Sequence, residues 1–334
     1  MNYTITAGKK YSNGKPFKVS YCKNQNDSPI EKPVYDNVAV IIVTYWPDDG
    51  FAERVEHLST LFTRVLVVDN SGGPNQEVNL LLLTKNYNIE ILINTCNLGI
   101  ATAMNKGINW SINKGYTWTL TLDQDTHIKD NILDEIGVVY DTIESKKFIG
   151  LIGCNYKDLH GSVPTHWSVS QENNTYIDAL VFISSGSFLN NKAFVDCGPF
   201  REDYFIDYVD NEYCLRALSK GYHVYITKKY LMTHSVGNRT CHKFIWRNFY
   251  TNNHVAFRRY FIARNRIWTL KKYWKNNTFW CSHQILVAII EALKIFLFES
   301  GKTLKLRALL DGYLDAFSDK KQDPQEIIRK YFKI

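Results

Sequence analysis

Two aspartates separated by a single glutamine, Asp123 and Asp125, close the run at residues 116–126, YTWTLTLDQDT. Trp118, Leu120 and Leu122 alternate with threonines ahead of them, the period-two pattern of a strand. On an extended backbone side chains at i and i+2 face the same way, so both carboxylates can reach one cation at the end of a sheet. Oxygen ligands of this kind suit Mg²⁺ or Mn²⁺. Mg²⁺ is commonly held by one or two carboxylates, with water and substrate phosphates completing its shell. The chemistry this spacing points to is the handling of a diphosphate. A bare D-x-D also fits an ordinary surface turn, and the surrounding pattern decides between the two.

That pattern is an alternation of strands and helices. NVAVIIVTY (37–45) reads as a continuous apolar strand of the buried, parallel kind. A helix over 50–63 follows, with Phe51, Val55, Leu58 and Phe62 on one face, then strands at 64–71 (RVLVVDNS) and 89–94. A second helix over 97–115 carries Ile100, Ala103, Met104, Gly107 and Ile108 on one side, and the run ending at Asp125 is the fourth strand. Such a series predicts right-handed βαβ units and a parallel sheet, whose ligands bind beyond the carboxyl ends of the strands. Thr44, Tyr45, Asp69, Asn70, Asn97 and the Asp123/Asp125 pair all fall at those ends. Beyond them, a helix near 131–145 and a strand at 148–154 lead to SSGSFLNN (184–191), small residues near the expected crevice. Val209, Tyr213, Leu215 and Leu218 suit a helix closed by Gly221. Asp207, Asp210 and Glu212 crowd its first turn, where the helix dipole also favours carboxylates as simple caps.

Composition sets the wider frame. The 334 residues suffice for one large or two ordinary domains, and 45% apolar with 22% charged residues are globular values. Seven cysteines without C-x-x-C spacing point to free thiols in a reducing compartment and away from structural zinc. No signal-peptide pattern is visible at the amino terminus. Asn13-Gly14 sits between two β-prone runs in the polar first 36 residues, which predicts a hairpin appendage, with a disordered tail as the alternative. The net charge of +7 is unevenly spread: residues 213–290 hold 14 Lys and Arg and no Asp or Glu. Asymmetry of that kind marks an anionic partner.

The segments VTYWPD, VVDNS, NLGIATAMNKG, TLDQD, FIDYVDNEYCLRA and THSVG follow one another as they do in the family 2 inverting glycosyltransferases of GT-A fold. Within that family the chain most closely resembles bacterial rhamnosyltransferases that use dTDP-L-rhamnose. The resemblance spans residues 38–237 and continues more weakly through FRRYFIARNR; Trp46 departs from the small polar residue usual in its motif. It implies an α/β, Rossmann-like nucleotide-diphospho-sugar transferase domain over 37–240, behind the appendage at 1–36, with a helical, basic and aromatic extension over 241–334. It further implies inverting, metal-dependent transfer of L-rhamnose from dTDP-L-rhamnose to a lipid-linked, polyprenyl-diphosphate oligosaccharide of a bacterial surface polysaccharide, of O-antigen or capsule type.

Residue by residue, the resemblance implies that Thr44 and Tyr45 line the base and that Asp69 accepts a hydrogen bond from the pyrimidine N3–H. Asn97, Gly99 and Asn105 would shape the ribose and diphosphate side. Asp123 would face ribose or metal, Asp125 would be the main ligand of Mg²⁺ or Mn²⁺, and His234 would complete the shell. Outside its motif, a lone histidine at a strand end reads as an exposed polar group. Asp210 matches the family's general base, with Asp207 the nearest competitor and Glu212 orienting the segment. The alternatives are the same fold using a UDP-sugar, or a catalytically silent nucleotide- or glycan-binding protein.

From 243 to 275 nine basic residues interleave with ten aromatics. Such a stretch suits nucleic acid or an anionic lipid surface. No nucleic-acid fold motif accompanies it, so the expectation is a membrane surface met by Arg258, Arg259 and Arg266, without nucleic acid. The apolar run QILVAIIEALKIFLF (284–298) is interrupted by Glu291 and Lys294 and falls short of the ~20 residues of a spanning helix, so it reads as a core helix or a partly inserted one. The expected location is cytoplasmic, peripheral on the inner face of the bacterial plasma membrane. Whether the chain forms a homo-oligomer is left open.

Overall fold

The computed structural model describes residues 29–72, 88–158, 163–164, 166–169, 174–234, 240–244, 247–318 and 322–332. Two compact units emerge: one contains the described residues up to Phe205 together with Val209–Ser235, the other Ile206–Tyr208 and the described residues from Val236 onward. The hairpin expected around Asn13-Gly14 lies outside the described residues.

The first unit is built on one sheet. Its strands are β1 (Val38–Thr44), β2 (Arg64–Asp69), β3 (Ile89–Ile93), β4 (Trp118–Asp123), β5 (His127–Ile128), β6 (Ile149–Lys157), β7 (Tyr176–Ala179), β8 (Ser187–Asn190) and β9 (His223–Thr233). They lie in the order β3-β2-β1-β4-β8-β6-β9-β5, with β7 also paired to β9. The first four are parallel, as the alternating pattern predicts. All seven residues of β1 are buried, which is why its sequence is apolar on both faces. Helices α1 (Phe51–Leu61), α2 (Ile100–Asn113), α3 (Ile132–Thr142), α4 (Asn191–Cys197) and α5 (Val209–Ser219) complete this unit. On α2 the buried residues are Ala101, Ala103, Met104, Asn105, Gly107, Ile108 and Ser111; of the expected face Ile100 is only partly buried. Residues 30–32 are tied down here too: Trp118 Nε1 donates to the Glu31 carbonyl at 2.8 Å, and the Tyr140 hydroxyl donates to that of Ile30.

Register places the polar strand ends together. Thr44 of β1 pairs with Asp69 of β2, and Val43 with Asp123 of β4. Neighbouring strands lie about 4.8 Å apart, so three consecutive strands present polar groups along one edge. The segment 184–191 is more ordered than its small residues suggest: it forms β8, antiparallel to β4 and β6. Gly186, at φ +76°, makes the entry turn; a Cβ there would fall 2.3 Å from the Met232 sulfur.

The second unit holds a hairpin of β10 (Thr240–Phe244) and β11 (Arg247–Thr251), then α6 (Ala256–Tyr273), α7 (Thr278–Phe298), α8 (Lys302–Phe317) and α9 (Pro324–Tyr331). Ala263 of α6, Ile295 of α7 and Leu309 of α8 share its apolar core. Here the expected basic surface is corrected. Arg259 and Arg266 are 2% and 3% exposed. Arg259 pairs with Glu291 and, at 2.6 Å, with Glu299; Arg266 pairs with Glu291 at 2.8 Å; Lys305 closes the network on Glu299 at 2.9 Å. Arg258 is engaged by Asp207 at 2.9 Å. Buried cations persist only with such partners, and the partners come from other segments, so the local run of arginines gave no sign of them.

Of the two readings of the apolar run, the core helix does not hold: it belongs to a 21-residue helix, α7, most of whose apolar stretch is not buried. Both charges that interrupt it are satisfied within this unit, Glu291 by the arginines and Lys294 by the Tyr250 carbonyl at 2.9 Å. What remains outward is apolar: Ile285, Leu286, Ile289, Leu293, Phe296 and Leu297 are all exposed.

Candidate active site

The strongest cluster lies where β4 ends. Asp123, Asp125 and His234 offer ligand atoms that all lie within 4.8 Å of one another. His234 Nδ1 is 3.4 Å from Asp125 and Nε2 is 3.7 Å from Asp123. Topology explains how a histidine so distant in sequence arrives: β5, directly after Asp125, pairs antiparallel with the end of β9, His127 opposite Thr233. The imidazole is then fixed by the Thr126 hydroxyl at 3.0 Å, and its ring meets Tyr156 edge to face. Burial disfavours the charged imidazole, but the Asp125 and Asp123 carboxylates outweigh that and raise its pKa above the usual 6.5. Two carboxylates and one imidazole, roughly a third and a tenth exposed as side chains, form a donor set that fits Mg²⁺ or Mn²⁺.

Around this cluster the backbone is held by groups that the sequence did not single out. Ser185 Oγ accepts from the Asp123 N–H at 3.0 Å and meets Thr126 Oγ1 at 2.7 Å. Between the two aspartates, Gln124 accepts the Tyr45 N–H at 2.7 Å through its side chain and Arg54 Nε at 2.9 Å through its carbonyl. The loop after β1 is thereby tied to the D-x-D turn. Serine before a strand and glutamine between two acids carry no local signal; their partners come from strands that only the fold brings near.

At the ends of β1 and β2 lies a second feature. Asp69 is 1% exposed, and one carboxylate oxygen accepts from the Ser71 hydroxyl at 2.7 Å and its N–H at 3.3 Å. The other oxygen, and Thr44 Oγ1, are buried with no hydrogen-bond partner among the described residues. Unpartnered buried polar atoms are rare and costly, and here two lie on paired residues of neighbouring strands. Tyr45 and Trp46 stand half exposed beside them, at 49% and 52%, Trp46 with φ +49° and its N–H on Ser71 Oγ at 2.7 Å.

The remaining expected nucleotide residues divide. Asn97 belongs to an amide cluster: its side-chain oxygen accepts from Asn70 Nδ2 at 3.0 Å and the Gly99 N–H at 2.9 Å, while Asn70 accepts from Asn94 at 3.2 Å. Asn105 is corrected. Its amide is spent on the chain before α5, donating to Phe200 O at 2.9 Å and Glu202 at 3.0 Å and accepting from Phe200 N at 2.9 Å. The start of α2 is likewise not open to an anion at its first amide, for Ile100 N–H donates to Phe205 O at 2.8 Å. Gly99, at φ +85°, makes room for that approach; a Cβ would fall 2.5 Å from the Phe205 ring.

Among the three acids near α5 the structure separates roles. Asp210 lies in the first turn and borders a narrow cleft with Thr121, Ser184, Ser187 and Phe200. Ser184 adjoins the Ser185 that holds Asp123. Glu212 is fully buried and accepts from Arg216 at 2.9 Å, whose guanidinium also holds the Cys197, Gly198 and Pro199 carbonyls. Through that guanidinium it is linked to the segment before α5. Asp207 is bound two-pronged by Arg258, at 2.9 Å to each carboxylate oxygen.

No family model matches the chain. It is 31% identical over 257 residues to a dTDP-rhamnosyl transferase, RfbF, of Shigella flexneri, covering 71% of this chain and 80% of that one. Among solved structures, S. aureus TarS 1-349 in complex with UDP-GlcNAc shares the fold with a TM-score of 0.54 at 15% identity, over 85% of this chain and 80% of that one. In another TarS structure the chain spans 48% of the protein's length. GalNAc-T7 with UDP, GalNAc and Mn²⁺ superposes with a TM-score of 0.55 at 11% identity, over 92% of this chain and 61% of that one. The two structures speak to the fold alone. Sequence relationship and fold together make the chain a glycosyltransferase of family 2 with the GT-A fold, belonging with the bacterial dTDP-rhamnosyl transferases.

Proposed function

We propose that the enzyme transfers L-rhamnose from dTDP-L-rhamnose, with inversion, to a lipid-linked polyprenyl-diphosphate oligosaccharide of a bacterial surface polysaccharide. The observation that carries this reading is the alignment along one sheet edge of the orphaned Thr44 and Asp69 oxygens with the Asp123/Asp125/His234 cluster. Asp69 accepts the pyrimidine N3–H, and exposed Tyr45 covers the base. Uracil and thymine share that N3–H, so the relationship to RfbF is what favours dTDP and rhamnose. Asp123, Asp125 and His234 hold Mg²⁺ or Mn²⁺, which supplies positive charge against the leaving diphosphate. Asp210 takes the acceptor hydroxyl proton as that oxygen bonds to the sugar C1. The C1–O bond to the diphosphate breaks on the opposite face, and dTDP leaves with the electron pair.

The acceptor and location belong to the same proposal. The exposed apolar face of α7 supports seating at the inner face of the plasma membrane, where a polyprenyl-linked acceptor resides. All six described cysteines are unpaired, as suits the cytoplasm. The test is calorimetric titration with dTDP, UDP and GDP, each with Mn²⁺ or EDTA. Metal-dependent preference for dTDP supports the donor; preference for UDP discards rhamnose; absence of nucleotide binding overturns the proposal. The anomeric configuration of the product, read by NMR, decides inversion.

A further inference from the structure

The backbone leading into α5 is held in a conformation that L-residues avoid. Phe205, Asp207 and Tyr208 have φ of +62°, +63° and +62°, and none is glycine. Positive φ at three residues of four persists only where surroundings enforce it, and such strain concentrates at functional sites. The Phe205 carbonyl accepts from the Ile100 N–H, and three residues of α6 hold the segment 206–208. Arg258 grips the Asp207 carboxylate with Nε and Nη2, both at 2.9 Å. Asn265 Nδ2 donates to the Ile206 carbonyl at 2.9 Å and to that of Asp207 at 3.0 Å. Arg266 Nε donates to the Tyr208 hydroxyl at 2.6 Å, and that hydroxyl donates onward to Gln284 at 2.7 Å.

Asn265 is itself aimed. Its side-chain oxygen accepts from Arg264 Nε at 3.1 Å and Nη2 at 2.9 Å, and the Arg264 guanidinium lies 4.4 Å from the Trp268 ring. With that oxygen engaged by a cation, the amide NH₂ can only point at the two backbone carbonyls. Asn265 has no exposed surface. A buried amide reading two successive carbonyls specifies a backbone shape; an apolar residue would serve packing alone. From that shape the chain passes directly to Val209, where α5 begins, and then to Asp210.

We infer that Arg258, Asn265 and Arg266 are positioning residues for Asp210: they hold residues 206–208, with Asp207 and Tyr208 at positive φ, in the turn from which α5 starts, and so set where the Asp210 carboxylate stands. The inference rests on the reading of Asp210 as general base. Basic residues that look like a binding surface in the sequence thereby become part of the support for the proton acceptor.

Arg258 is the residue to test, because its side chain is 35% exposed and its loss leaves the α6 core in place. The probe is dTDP release from dTDP-L-rhamnose with solubilised membrane lipids as acceptor, alongside calorimetric dTDP binding. Arg258→Ala lowers kcat about 10- to 100-fold, the scale of a misplaced catalytic group, while the Kd for dTDP changes less than about twofold and the Tm holds. Adding Asp207→Gly restores kcat at least severalfold, since glycine adopts positive φ without being held; a merely structural salt bridge offers no such rescue. Unchanged kcat in Arg258→Ala, an equal loss of kcat and dTDP affinity, or failure of Asp207→Gly to rescue overturns the inference. Asp210→Asn separates it from its premise: full activity there overturns the base itself, whereas an inactive Asp210→Asn beside a fully active Arg258→Ala overturns only the positioning role.

Discussion

Two charged clusters in this protein are built on opposite plans. At the end of β4, two carboxylates and a histidine are gathered within 4.8 Å and left partly open. Between α6, α7 and α8, three cations (Arg259, Arg266, Lys305) interlock with two carboxylates (Glu291, Glu299), and each side chain is at most 15% exposed. Glu299 feels burial that would favour its neutral form, yet Lys305 and Arg259 keep its pKa below the usual carboxylate range. The second cluster supplies its own counter-charges. The first gathers like charges that repel unless a cation or proton joins them. Above the His234 pKa a chain gains nothing in folding from the first arrangement, and that is how a binding site is told from architecture when both are made of the same residue types.

The comparison breaks or sharpens by mutation. Glu299→Ala strands Lys305 without its anion and leaves Arg259 with Glu291 alone; removing one partner of a buried pair costs about 3–5 kcal/mol, a large share of the roughly 5–15 kcal/mol typical of a domain. The urea midpoint should fall steeply, and a shift within error would show that the network is dispensable. Asp125→Ala should do the reverse, leaving the midpoint within about 0.5 kcal/mol while dTDP affinity loses its response to Mn²⁺ and EDTA. If Asp125→Ala destabilises as much as Glu299→Ala, the two clusters are not different in kind.

A third surface gives a smaller effect. Replacing Ile289 and Leu293 by Glu should weaken sedimentation with phosphatidylglycerol vesicles about tenfold or more, each exposed aliphatic side chain being worth roughly 1.5–3 kcal/mol when buried, with no change in Tm. Retention on vesicles would remove α7 as the lipid-facing element. The mildest expectation concerns pH. In EDTA, the charged His234 stabilises the fold fully below its ordinary 6.5, and this is lost as pH rises through the raised value. With Mn²⁺ the neutral ring is required, so the metal-bound protein gains as pH rises. The Tm gap between the two conditions should widen with pH, and His234→Asn should flatten it.

The parallel half of the sheet was legible because β1 through β4 are local patterns: buried on both faces, evenly spaced, and ending in polar groups that register then aligned. The D-x-D turn, Asp69 and Asp210 stood out for the same reason. Ser185, Thr126 and Gln124 did not, since each matters through a partner that only the fold brings near. At Asn105 and Gly99 an amide and a glycine at a helix start suit a ligand and a neighbouring loop equally, and only the fold shows Phe200, Glu202 and Phe205 beside them. The arginines of α6 misled most. Their anions, Glu291, Glu299 and Asp207, lie in other segments of the chain, and a stretch free of acids looks like a surface until the fold folds acids onto it.

The unpartnered oxygens of Thr44 and Asp69 carry a consequence for the enzyme's life in the cell. Leaving a buried polar atom without a bond costs about 1–3 kcal/mol, and on the donor reading that cost is relieved only while nucleotide is bound. At a hundredfold excess over Kd, a ligand adds about 2.7 kcal/mol to stability, enough to change the unfolded fraction that proteases survey. Donor supply then governs how much enzyme survives as well as how fast it works: a cell that stops making the activated sugar also shortens the life of the protein that spends it.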